Sequence, residues 1–397
     1  ISGICGMALM LVGGVALAQT KGADTSGAAQ VPAPPPPNFP TLFPHPTNNN
    51  GYEEWVQAAD LIQNNLKVKA LSTQPEMTLA MKRRLLADPN VEQALILLRA
   101  GLHKPVFSPH MNFDENTLLP ELACFRQLAR LLCVEQYVAF ADGRVDKAIE
   151  TLRVGLAFGY RVQTDSIISG LVGVAIDTML LKQFSQHLDQ LSTYHCDEVR
   201  RLVEDFLGAE NPAARLLAQE RALALKLLDA RRSDARSLLA LLKDTAGEGE
   251  DSVDPSVAPL QAYLTAHPGD VNAVLDEAKE RLNAMYDQTL ANMRLPIAQR
   301  KPFVDDNSNS PGAILFRAVS VDPQLILNKY TNDQAQLRLL GVHAVIHHYR
   351  WDHNTLPGGL AELRAPSLVK DVFTGSQVVY TREGDRYTLT AQGPPRQ

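Results

Sequence analysis

Four histidines, His343, His347, His348 and His353, crowd one short stretch of a chain that holds ten in all, and their spacing points most directly to chemistry. His343 and His347 stand at i, i+4, which on a helix brings both imidazoles to one face, as a metal-binding pair requires. No Glu follows His343, as the HExxH pattern of zinc proteases demands, and Arg350 on the same edge would repel a cation. Asp352 and His353 are near in sequence, but neither is an obvious third ligand. His343 and His347 are therefore the metal-site candidates. The competing reading is a polar helix edge, shared with Gln336 and Arg350, beside the stripe Leu339, Val342, Ile346 and Tyr349.

Other routes to catalysis are poorly provided for. The chain has no G-x-S-x-G elbow, no P-loop and no Rossmann glycine pattern. Carboxylates are plentiful, yet spacing alone names no acid and base pair. Cys124, Cys133 and Cys196 form no CxxC, which argues against thioredoxin-like redox work. Cys124 and Cys133 lie on one expected helix, roughly 13 Å apart along its axis, too far for a disulfide. Cys196 can pair with either or remain a thiol. No catalytic residue is assigned and no cofactor is expected.

The elements that must position these residues are helical. Apolar residues make up 45% of the 397, aromatics only 6%, and Leu and Ala dominate, a balance that favours helices. The net charge of −6 gives no basic field for nucleic acid. Ile1 to Leu17 is an apolar run of small residues ending in Ala16-Leu17-Ala18, the pattern of a signal peptide, with an N-terminal anchor as the rival reading of residues 1–18. Residues 19–50 are rich in Pro and Ala, including Pro34 to Pro37, and read as an extended tether. Export to the periplasm, outer envelope or exterior is the expectation.

Residues 51–322 read as a helical body. Apolar stripes mark helices over Tyr52–Leu71, Asn90–Ala100, Leu118–Ala141, Val145–Phe158 and a long one from Asn211-Pro212 to about Lys243. The segment from Val134 to Gly159, "VEQYVAFADGRVDKAIETLRVGLAFG", resembles one tetratricopeptide unit, with Gly143 at the turn and Ala148 at the helix contact. A solenoid needs about three copies, and an ordinary antiparallel pair explains one. Asp165 to Leu191 is the most apolar segment; Gly170 and Gly173 would let a neighbouring helix approach, and Asp177 would close the buried stretch. Residues 246–259 read as a flexible acidic loop, without the spacing of an EF-hand.

The last part, 323–397, reads as a helix followed by a β-hairpin. The helix ends "AVIHHYRWDHNTLPGGLAEL", followed by "LVKDVFTGSQVVY" and "DRYTLTAQG". This pattern resembles the globular tail of type II secretion pseudopilins, with Tyr349, Pro357, Asp371, Phe373, Gly375, Tyr380, Tyr387 and Gly393 in the family's turn and strand positions. Val372 stands where that family has proline, which relaxes the turn. The resemblance implies a small α+β cap on a mainly α chain. The apolar faces of its helix place Leu339, Val342 and Ile346 against the hairpin and His343 and His347 at a solvent edge. Functionally, the leading expectation is an exported non-enzymatic scaffold that binds envelope or secreted proteins, or itself, through its helical body. The alternatives are a metalloprotein or hydrolase using His343 and His347, and a membrane-anchored accessory subunit.

Overall fold

A computed structural model describes residues 42–43, 47–71, 77–110, 119–164, 166–232, 238, 256–306, 308–320 and 322–392. The expected signal (1–18), nearly all of the tether and most of the acidic loop lie outside the described residues. The chain is mainly helical, with a two-stranded antiparallel sheet near the C-terminus. Its helices are α1 (Gly51–Gln63), α2 (Leu66–Ala70), α3 (Leu79–Leu86), α4 (Pro89–Leu102), α5 (Glu121–Ala141), α6 (Val145–Val162), α7 (Ile167–Ser185), α8 (Thr193–Gly208) and α9 (Ala213–Asp229). There follow α10 (Ala258–Ala266), α11 (Val271–Asn292), α12 (Pro311–Val319), α13 (Pro323–His353), and strands β1 (Val379–Glu383) and β2 (Arg386–Thr390). They divide into two compact units, one of residues 37–216, 292–300 and 325–397, the other of 1–36, 217–291 and 301–324.

The first unit is built on an aromatic nucleus. Asn50 caps α1, its side-chain oxygen accepting from Tyr52 N at 3.0 Å, and so points Tyr52 and Trp55 inward. Trp55 is fully buried, edge-on to Phe158 at 4.9 Å and to Phe125 at 6.1 Å. α5 and α6 form the expected antiparallel hairpin; Gly143 turns it at φ +70°, and Ala148 is fully buried. α7 begins with a capping box between Ser166 and Ser169. It is the one helix among the described residues long and apolar enough to cross a membrane, and most of it is buried in this unit.

In the second unit, α11 presents Arg281 to a polar segment. Its guanidinium bonds Asp305 at 2.7 Å and Asp306 at 2.7 and 3.0 Å, while Glu277 accepts from Arg281 and Ser310. α9 does not run to Lys243 as its leucine pattern predicts. It ends at Asp229, where Arg231 N and Arg232 N turn back onto Leu228 O and Asp229 O, and the Arg232 side chain holds Asp229.

α13 extends one turn beyond Tyr349, to His353. Asn354 leaves it at φ +54°, and Leu356, Leu360 and Leu363 bury the corner that follows. The Asp371–Gly375 turn is tied without a proline. Asp371 is 1% exposed; its two oxygens accept from Phe373 N and Gln392 N, both at 2.8 Å. Gly375, at φ +80°, returns its N–H to Asp371 O. β1 and β2 then pair in the register Val379↔Thr390 to Glu383↔Arg386, through a turn at Gly384.

Candidate functional site

The structure moves His343 off the solvent edge expected for it. Val342 and Ile346 are fully buried, and the His343 ring turns to the hairpin, Nδ1 lying 2.8 Å from Tyr387 Oη. Tyr387 sits on the more buried face of β2, and Leu339 packs only partly buried. Burial, with His347 beside it, pulls the His343 pKa down to about 4. His347 lies edge-on to the same tyrosine at 6.2 Å, and burial, then Arg350, lowers it too. Among the described residues no group of three or more His, Cys, Asp or Glu is set to hold a metal.

The other two histidines of the stretch do face a concavity. α8 and the end of α13 bound a groove of about 590 Å³, floored by the corner that carries Glu362, Leu363 and Arg364. His348 reaches across it, Nδ1 3.1 Å from Asp197 Oδ1 on α8 and Nε2 3.3 Å from Asp352 Oδ2. The Tyr349 ring stacks on His353 with centroids 3.9 Å apart, while its hydroxyl donates to Glu362 at 2.7 Å. Arg200 is held by Glu204 at 2.8 Å. Arg364 stands at φ +51°, a left-handed conformation costly for a residue with a Cβ and found most often where a site requires it.

The chemistry of this groove is set by its charges. Asp197, Glu204, Asp352 and Glu362 line it against two guanidiniums, Arg200 and Arg364, so its field is negative. An imidazole between two carboxylates is the geometry of a general base, but a base needs something to activate. Cys196, the one thiol in the lining, is buried, and burial, with Asp197 next to it, pushes its pKa up to about 12. Two exposed aromatics are neighbours in sequence of lining residues: Tyr194, two residues before Cys196, is 62% exposed, and Trp351, next to Asp352, is 60% exposed with its ring N–H fixed on Leu191 O at 2.9 Å.

A second polar constellation lies wholly inside. Asp177 on α7, expected to end the buried stretch, is 5% exposed, and Asp333 on α13 is 8% exposed. Burial raises both carboxyls, Asp333 to about 7, and the Asp333 charge lifts Asp177 further. Gln163 and Tyr330 are buried beside them. A core reading of α7 missed this, since an aspartate at the end of an apolar run resembles a helix boundary. Asp177 and Asp333 belong to segments far apart in sequence, so no local spacing announces them. His348 and Asp197, 151 residues apart, escaped for the same reason. Cys124, Cys133 and Cys196 are all free thiols.

No family model matches the chain, and no curated protein or solved structure matches it.

Proposed function

We propose that this chain is an exported, non-enzymatic binding protein of the bacterial cell envelope that holds a basic segment of a partner protein in the α8–α13 groove. The observation that carries it is the lining: four carboxylates to two guanidiniums, with a stacked Tyr349–His353 pair to receive the stem of a Lys or Arg side chain. Exposed Trp351, next to the lining residue Asp352, and Tyr194, two residues before Cys196, would supply the aromatic anchors on which interfaces concentrate their energy. In this reading 1–18 directs export, 19–50 is the tether, the α5–α6 pair is a single tetratricopeptide-like unit, and α13 with its hairpin is a pseudopilin-like cap. The support for these parts is the sequence patterning together with the helical hairpin and two-stranded sheet described above.

The test is fluorescence anisotropy of the full chain with labelled Lys/Arg-rich, Asp/Glu-rich and uncharged peptides of equal length. The basic peptide should bind, lose affinity as salt rises, and lose about tenfold or more with Glu362→Gln or Trp351→Ala. Equal binding of all three peptides, or of none, would sink the proposal.

A further inference from the structure

Among the buried oxygen atoms of the first unit that have no hydrogen-bond partner among the described residues, four belong to α7, α13 and the end of α6: Asp177 Oδ1, Asp333 Oδ1, Gln163 Oε1 and Tyr330 Oη. Their residues are 5%, 8%, 3% and 4% exposed, so solvent does not satisfy them. Leaving even one such group unpaired costs about 1–3 kcal/mol, more if it is charged, so four along one helix contact ask for a partner.

Backbone geometry places them along the face that α7 turns to α6 and α13. Gly170, Gly173 and Asp177 follow one another along a single face of α7. Tyr330 Oη occupies the space a Cβ on Gly170 would need, ending 2.4 Å from that position. The Gln163 side chain, just past the end of α6, lies over Gly173, and Asp177 Oδ1 lies over Gly159 of α6. Asp333 stands one turn beyond Tyr330 on α13, and its charge acts on both Tyr330 and Asp177. No two of the four atoms satisfy hydrogen-bond geometry with one another.

A cation would satisfy them together: with both carboxyls ionised, three of the four atoms accept only and the two charges repel. Arg215 acts on Tyr330 but donates to the Gln163 carbonyl at 2.6 Å, and neither aspartate has an ion pair among the described residues. We propose that Asp177, Asp333, Gln163 and Tyr330 form a buried, all-oxygen site for a hard divalent cation, with Ca²⁺ preferred to Mg²⁺. Two carboxylates balance a divalent charge, and carbonyl and phenol oxygens complete a hard donor set. Ca²⁺ fits better because it accepts irregular geometry, whereas Mg²⁺ demands a near-ideal octahedron and gives up its water reluctantly. The site joins α7 to α13 and would stiffen the helix that carries the groove, without touching the groove itself.

The experiment is equilibrium dialysis and thermal unfolding of the full chain, stripped with EDTA and returned to CaCl₂, MgCl₂ or chelator. One Ca²⁺ per chain is expected, with a melting temperature raised by roughly 5 °C or more at saturating Ca²⁺ and a smaller rise with Mg²⁺. Asp177→Asn and Asp333→Asn should abolish both readouts, and Tyr330→Phe should weaken binding about tenfold. Each Asn variant removes a buried charge while keeping shape, so its melting temperature in chelator should be no lower than that of the parent. Wild type that binds no Ca²⁺ overturns the proposal. So does stoichiometric binding that survives both Asn substitutions, which would place the ion on surface carboxylates.

Discussion

His343 shows how a single buried imidazole couples this chain to pH. Its ring is held neutral by desolvation and bonded to Tyr387, so its pKa lies near 4, against about 6.5 in an unfolded chain. The folded state therefore binds its proton less readily than the unfolded state does. Stability is fully present above about pH 6.5 and drains away as pH falls towards 4, by up to about 3 kcal/mol from this residue. His347, also lowered, moves in the same direction. Urea denaturation followed between pH 7 and pH 4 should show the decline, and His343→Gln should flatten a large part of it. A wild-type curve flat across that window would mean that the ring is already solvated. The same residue explains why an i, i+4 histidine pair misled a reading based on spacing. The helical period places the two rings on one edge correctly, but which edge faces the hairpin depends on how far Tyr387 reaches from a strand that is distant in sequence.

At the scale of elements, the contact between α6 and α7 is a close helix approach that rests on the absence of side chains. A Cβ on Gly173 would fall 2.4 Å from Gly159 O, a backbone atom with no rotamer to change, and 2.4 Å from Gln163 Cγ. Gly173→Ala should therefore force the two helices apart. Overpacking of this kind typically costs about 1–3 kcal/mol, set against the few tenths or more that Ala gains over Gly in a helix interior. A lowered urea midpoint with an unchanged slope would confirm a native-state clash; a variant as stable as the parent would show that α7 shifts freely. This contact was legible in advance, because Gly170 and Gly173 one turn apart in the uncharged first half of the helix have few other uses. So were α4, α5, α6 and the C-terminal hairpin, whose caps, apolar stripes and turn residues agree locally. Asp88 and Pro89 start α4, and Gly384 turns the hairpin. What stayed illegible depends on tertiary approach. The groove pairs α8 with the last turns of α13, and the buried aspartates meet only once α7 and α13 are in place. The leucines that promise a longer α9 continue past Asp229, but local hydrogen bonds at Arg231 and Arg232 turn the backbone first.

At the scale of the whole molecule, the two tryptophans report on separate properties, and the chain contains no others. Trp55 is 0% exposed, its ring N–H on Leu98 O at 3.1 Å and its faces closed by Phe125 and Phe158. Trp351, next to Asp352 of the groove lining, is 60% exposed. Native fluorescence should thus separate into a shielded component and one open to acrylamide. Trp351→Phe should leave a blue-shifted spectrum that acrylamide barely quenches, because Trp351 lies on the surface and its replacement disturbs little. A saturating basic peptide should protect the open component of the wild type and leave the Trp351→Phe spectrum unchanged. Urea should red-shift Trp55 together with the loss of helical circular dichroism, since its nucleus joins α1, α5 and α6 and cannot open while they remain packed. Two results would count against this arrangement in different ways. Strong quenching of native Trp351→Phe would mean that the aromatic nucleus is open. Peptide binding that leaves Trp351 fully accessible would move the binding face away from the α8–α13 groove while leaving the fold intact.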